Sequence, residues 1–148
     1  DIAKHFTSYT MIGMLIGYLV GIIAIPKYMS QTTALKGSGI LGLIFTLLAI
    51  LTSGYTSVLF IALLGLANAL VWPALWPLAI HGLGRFTKTG SALLIIGIAG
   101  GAVLPKIWAS LGESVGYQQA FWILIPCYLF ILYFAISGHK LGSQLKIK

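Results

Sequence analysis

Apolar residues run on through most of this chain, and polar or charged positions fall in short clusters between the runs. Residues 37–84 contain no Asp, Glu, Lys or Arg. As a single helix, at ~1.5 Å per residue, that stretch would extend roughly 70 Å against a hydrocarbon core of about 30 Å. It must therefore turn back on itself, and Thr52-Ser53-Gly54-Tyr55-Thr56-Ser57 is the polar cluster in its middle. The whole pattern predicts five spans, over residues 6–25, 35–52, 55–80, 89–111 and 118–137. Between them lie a polar loop opened by Pro26-Lys27 and reaching Lys36, a loop over 81–88 and another over 112–116. The tail, 139–148, is polar and basic. No linker long enough to divide two domains interrupts the pattern, and there is no low-complexity segment.

Composition changes the picture in one way: it makes lipid the solvent. Hydrophobic residues make up 59% of the chain and charged residues 7%, with a mean hydropathy of +1.01, where a soluble domain carries about 25% charged residues. Too few charges remain to coat a surface in water. Backbone in lipid must satisfy its own hydrogen bonds, which leaves helices or a closed barrel. Barrel strands alternate apolar and polar residues, and Ile40-Leu41-Gly42-Leu43-Ile44-Phe45 does not. The expected fold class is an all-α membrane protein.

The net charge of +7 would suggest nucleic acid in a soluble protein, but these charges sit in short loops between apolar runs. No nucleic-acid partner is expected. Lys27 and Lys36, Arg85 and Lys88, and Lys140, Lys146 and Lys148 fall in alternate loops, whereas the opposite side offers Lys4 and a loop carrying Glu113. By the bias of Lys and Arg toward the cytoplasm, the carboxyl tail is cytoplasmic and Asp1 external. Five spans fit those opposite ends. Cys127 is the only cysteine and forms no internal disulfide. The first residue is Asp1 and the first methionine Met11, so a fragment of something longer is expected.

Gly13, Gly17 and Gly21 recur every four residues in the first span, and Gly97 and Gly101 repeat the spacing in the fourth. Small residues at this interval let helix backbones approach closely in lipid, so helix packing is the role assigned to all five. The third span holds the chemistry: Asn68-Ala69-Leu70-Val71-Trp72-Pro73-Ala74-Leu75-Trp76-Pro77. Asn68, Trp72 and Trp76 are spaced by four and line one helix face. Pro73 and Pro77 remove the donors that would pair with the carbonyls of Ala69 and Pro73. Broken helices at membrane depth are tolerated where they line a cavity or are covered by protein. Two readings fit. In one, the amide, the two aromatic faces and the freed carbonyls hold a sugar. In the other, the tryptophans pack a kinked helix and Asn68 bonds across a helix interface.

The segment from Leu66 through Trp72-Pro73-Ala74-Leu75-Trp76-Pro77 to Ile80 resembles the tenth-helix motif of the fucose/glucose/galactose:proton symporter family of the major facilitator superfamily. Gly84-Arg85-Phe86-Thr87-Lys88 through Ile95, then Gly97 to Ala102 and Leu104-Pro105, resemble the following loop and eleventh helix of bacterial glucose/galactose transporters. Ile25-Pro26-Lys27-Tyr28 resembles the end of their eighth. The resemblance covers nearly the whole chain. It implies that residues 1–148 form one partial C-terminal transmembrane domain, helices eight to twelve of twelve, with the N-terminal half absent.

It further implies a secondary active transporter of a hexose in the bacterial inner membrane, with Asn68 and Trp72 binding sugar, Trp76, nearer the cytoplasmic end, either joining them or serving as a gate or packing residue, and Pro73, Pro77 and Pro105 acting as kink or gating residues. The implied partners are the lipid bilayer, a hexose and the missing half. No cofactor is implied, only a proton as coupling ion. The chain's only acids, Asp1 and Glu113, are predicted outside the hydrocarbon, so the coupling carboxylates are expected in the absent half.

Lys106 departs from the family's apolar pattern. At the bilayer centre a lysine costs about 2.5–3.5 kcal/mol, so it is expected to snorkel to the outer interface or to reach Glu113. Gln118 and Gln119 are expected to cap the fifth span, and His81 to be a loop residue. Lys88-Thr89-Gly90 and Ser137-Gly138-His139-Lys140 match short elements of penicillin-binding enzymes, but in reversed order and in loops. No enzyme is expected, and no metal site. The alternative to a transporter is a non-transporting scaffold subunit of a larger membrane complex.

Overall fold

A computed structural model describes residues 2–144. Expectations that fall on Asp1, Lys146 and Lys148 lie outside the described residues, as do the side chains of Lys4 and Pro26. Every regular element described is helical: α1 (Ile2–Lys27), α2 (Gln31–Leu51), α3 (Gly54–Ala69), α4 (Val71–Ile80), α5 (Thr87–Gly97), α6 (Gly100–Val115), α7 (Leu124–Tyr133) and α8 (His139–Gln144). Short 3-10 turns over Gly84–Phe86 and Gln119–Ile123 and a π-helical turn over Phe134–Gly138 join the later ones. Five stretches are long and apolar enough to cross a membrane: Thr7–Ile25, Gln31–Leu51, Gly54–Ile80, Gly84–Val115 and Gln119–Leu141. The described residues are all-α, as expected, with five segments that can span a membrane.

The first loop is shorter than expected. α1 runs past Pro26, and the amides of Tyr28 and Met29 both donate to the Ala24 carbonyl, at 2.8 and 2.9 Å. α2 then starts at Gln31, because Ser30 is its N-cap: the Ser30 hydroxyl accepts the Thr33 amide at 3.1 Å. Lys36 is therefore helical. The corner at Thr52 is as read, though only Thr52 and Ser53 lie outside helices. Ser53, Tyr55 and Thr56 are exposed, whereas Thr52 and Ser57 bond to the backbone of α2. The Thr52 hydroxyl donates to the Leu48 carbonyl and the Ser57 hydroxyl to that of Ala49, each at 2.6 Å. Gln118, from the far end of the chain, donates its Nε2 to the carbonyls of Ala49, Ile50 and Thr52. It caps α2 and not its own helix. A helix C-terminus leaves four carbonyls without intrahelical donors, and these side chains supply donors to several of them.

The later spans are interrupted. The third breaks at Leu70. The fourth loosens at Ile98 and Ala99, whose amides reach back three residues to Ile95 and Ile96, both at 3.0 Å. Pro105 does not mark that break. It lies inside α6, and the loosened turn is where Gly97, Gly100 and Gly101 cluster. Glycine is the costliest residue after proline to hold in a helix, and here three of them outweigh the single ring.

α3 packs on α1 and α2, and α2 also packs on α4 and α7. Gly13, Gly17 and Gly21 face the third span. A Cβ on Gly17 would stand 2.5 Å from Ala69 Cβ, and one on Gly21 would strike the Leu70 side chain. The core gathers Ala34 and Leu35 of α2, Ala74 of α4 and Ala135 of the π turn, with Leu70, Val71, Leu75, Ile131 and Phe134 around them. Gly97 and Gly101 differ from expectation: a Cβ on either would meet nothing within 4 Å among the described residues. Among the described residues no helix stands across that face of the fourth span.

Candidate functional site

The break at Leu70 organises the site. α3 ends at Ala69, Leu70 stands between the helices at φ −90°, ψ −10°, and α4 begins at Val71. Pro73 is the third residue of α4. In a first turn its missing N–H costs no intrahelical bond, while continuing α3 through it would drive the ring into the Ala69 carbonyl. The chain breaks one turn earlier instead, and the Ala74 amide restarts the ladder on the Leu70 carbonyl at 3.1 Å. Pro77 lies within α4 and leaves the Pro73 carbonyl without its usual donor.

The predicted stripe therefore crosses the break. Trp72 and Trp76 sit one turn apart on α4, ring centroids 5.3 Å apart and planes tilted by 53°. Trp72 is 42% exposed and Trp76 is half-buried. Asn68, in the last turn of α3, is exposed. Its Oδ1 accepts a hydrogen bond from the Tyr128 hydroxyl of α7 at 2.9 Å. Tyr128 is only 4% exposed, and its ring lies over Gly42 of α2, where any Cβ would collide with it. Three spans thus fix one amide. With one Oδ1 lone pair engaged by Tyr128, Asn68 keeps both of its N–H donors. Trp72, four residues further on across the break, is exposed as well.

The sequence reading missed Tyr128. The signal existed, since a tyrosine hydroxyl inside an apolar run needs a partner, but spacing along one strand of text could not say that the partner is Asn68. Pro105 lines a cleft of 270 Å³ with Leu104, Trp108, Phe121, Ile123 and Leu124. There the Trp108 ring lies between Tyr117 and Phe121, at 5.4 and 5.3 Å, and its Nε1 is buried without a partner in the described residues. A second cleft, of 230 Å³, opens beside the break between Tyr18, Gly21, Ile22 and Ile25 of α1 and Leu70 and Pro73. Among the described residues no three His, Cys, Asp or Glu side chains gather where they could hold a metal ion.

Comparison with known proteins agrees with the resemblance read from the motif. The chain is 31% identical over 138 residues to a glucose/galactose transporter of Brucella abortus biovar 1 (strain 9-941), covering 93% of this chain and 33% of that protein. It is 25% identical over 143 residues to a putative glucose/galactose transporter of Helicobacter pylori (strain ATCC 700392 / 26695), covering 93% and 35%. It is 22% identical over 134 residues to the L-fucose-proton symporter of Escherichia coli (strain K12), covering 90% and 30%. No family model matches the chain, and no solved structure does. The chain is a homologue of bacterial sugar transporters along nearly all of its own length, and it spans about a third of theirs.

Proposed function

We propose that this chain forms part of the C-terminal wall of the sugar pathway in a hexose transporter of the bacterial inner membrane. The observation that carries the reading is the broken third span, in which Asn68, bonded through Oδ1 to Tyr128, and the exposed Trp72 lie four residues apart on either side of Leu70. A pyranose offers the matching chemistry, with hydroxyl oxygens that accept hydrogen bonds and a C–H face that stacks on an aromatic ring. Trp76 extends the surface toward the end of α4. The relatives' names support a sugar as substrate.

Transport proceeds by alternating access, without covalent chemistry. In secondary transporters built from repeats, substrate binds near the midplane beside discontinuous helices, and the two halves rock around it. The hinge in this chain is Leu70, with Pro73 and Pro77 keeping the third span from closing into one rigid rod. The second wall comes from the rest of a longer transporter. Protons are the coupling ion, and the titrating carboxylates belong to that other part, since Glu113, the one acid described, sits near the end of α6. The carboxyl-terminal end faces the cytoplasm.

Sugar uptake by the whole transporter tests this. Trp72→Ala should lower uptake roughly tenfold or more, which corresponds to about 1.4 kcal/mol of binding, while the amount of protein in the membrane stays near normal. Unchanged uptake at unchanged abundance would remove Trp72 from the pathway.

A further inference from the structure

We propose, on the sugar-pathway reading above, that Lys106 of α6 lines that pathway and selects a hexose carrying a carboxylate, a hexuronate, over a neutral one. α6 has two unlike faces. On one, Trp108 packs between Tyr117 and Phe121, and Gly112 lies against the Tyr117 ring, so this side is committed to the turn that leads into the fifth span. On the other, Ala102, Lys106, Ser110 and Glu113 follow at intervals of four, four and three, and all four are exposed. Residues at these intervals share a helix face. A face turned to acyl chains carries aliphatic side chains, whereas this one carries an ammonium, a hydroxyl and a carboxylate. Within a membrane such a face turns to water or to other protein.

Depth separates Lys106 from the other charges of its span. It is the one charged residue between Lys88 and Glu113. Those two stand about 37 Å apart along a helix, enough to bracket a hydrocarbon core of about 30 Å. With the core centred between them, the Lys106 backbone lies roughly 7 Å inside its edge. Snorkelling to that edge would take the side chain toward Glu113, but Cα–Cβ bonds tilt toward a helix N-terminus, which leans Lys106 back toward the middle of the span. The bridge to Glu113 expected from the sequence does not form, and neither residue has an ion-pair partner among the described residues.

A carboxylate matches this face. It brings one negative charge to one positive charge, and the attraction strengthens as the pair leaves water. Ser110, one turn along, leans toward Lys106 by the same tilt, and its hydroxyl can donate to a carboxylate oxygen or accept from a ring hydroxyl. Ala102, one turn the other way, leaves room beside the ammonium. A neutral hexose offers Lys106 only hydroxyl oxygens, which are weaker acceptors than a carboxylate. A sugar phosphate carries about −1.5 to −2, more than one lysine neutralises, and Glu113 on the same face repels the excess.

The test follows uptake of labelled glucose and of labelled galactose by the whole transporter in proteoliposomes, each competed by the unlabelled sugar or by its uronate. For the sugar carried, the uronate should compete at about a tenth of the concentration that the parent hexose needs, a charge-assisted hydrogen bond being the difference. K106Q should erase that preference, and K106R, which keeps the charge, should retain most of it. Removing a charge eases insertion, so K106Q should reach the membrane in wild-type amounts. K88Q removes the same charge at the other end of the same span and should leave the preference unchanged. A wild type that prefers the hexose, a preference that survives K106Q, or an equal loss in K88Q would overturn the selection. So would loss of all uptake in both K106Q and K106R at normal abundance, which would make Lys106 a contact to the rest of the transporter. A wild type that carries neither labelled sugar and takes up neither uronate would instead sink the sugar-pathway reading itself.

Discussion

In the second span, Gly39 and Gly42 lie against Leu132 and Tyr128 of the fifth, whereas in the fourth span Gly97, Gly100 and Gly101 would meet nothing within 4 Å among the described residues if given a Cβ. The two spans read alike as text, each an apolar run punctuated by small residues. Yet 44% of the second span's most apolar window is buried and 0% of the fourth's. Small residues are an invitation to close approach, and the approach happens only where another helix of the same chain stands opposite. Where none does, the glycines loosen the helix instead, as at Ile98 and Ala99.

Glycine replacements break this comparison most directly. Gly42→Ala should cost about 1–3 kcal/mol, the range for overfilling a packed interior, because the new methyl collides with the Tyr128 ring. A detergent denaturation midpoint reads that loss, and wild-type stability would mean that Tyr128 does not lie over Gly42. Tyr128→Phe is gentler. It keeps the ring over Gly42 and removes only the hydroxyl that holds Asn68, a bond worth about 0.5–1.5 kcal/mol. In the whole transporter this should raise the apparent KM for sugar several-fold with the maximal rate little changed, as the Asn68 amide loses its fixed orientation. At the other extreme, Gly97→Ala should be neutral or stabilise by up to about 1 kcal/mol, from helix propensity alone. A loss as large as that of Gly42→Ala would place a helix against the open face of the fourth span.

Much of the architecture was legible in the sequence because charge is a binary signal in lipid. A stretch free of Asp, Glu, Lys and Arg from 37 to 84 had to cross twice, and the corner fell at Thr52 as its polar cluster indicated. Ser30 was legible in principle as an N-cap, but a loop rich in polar residues masked it. Prolines pointed to the right spans and the wrong residues. The third span breaks at Leu70, one turn before Pro73, since the ring collides with what precedes it. The fourth yields at its glycines and not at Pro105. What one-dimensional spacing could not supply was the register between spans. Asn68, Trp72 and Trp76 stand out at an interval of four, but Tyr128 joins them only because α7 lies across Gly42. Gln118 was readable as a capping residue, and only the fold shows that it caps α2.

The central claim is that the broken third span faces a watery sugar pathway. Asn68→Cys in an otherwise cysteine-free whole transporter, treated with a membrane-impermeant alkylating reagent, tests it most directly. The account predicts that the cysteine reacts and that the transported hexose slows the reaction, while a non-transported sugar does not. A cysteine that stays unreactive, or reacts at the same rate with and without the hexose, would contradict it.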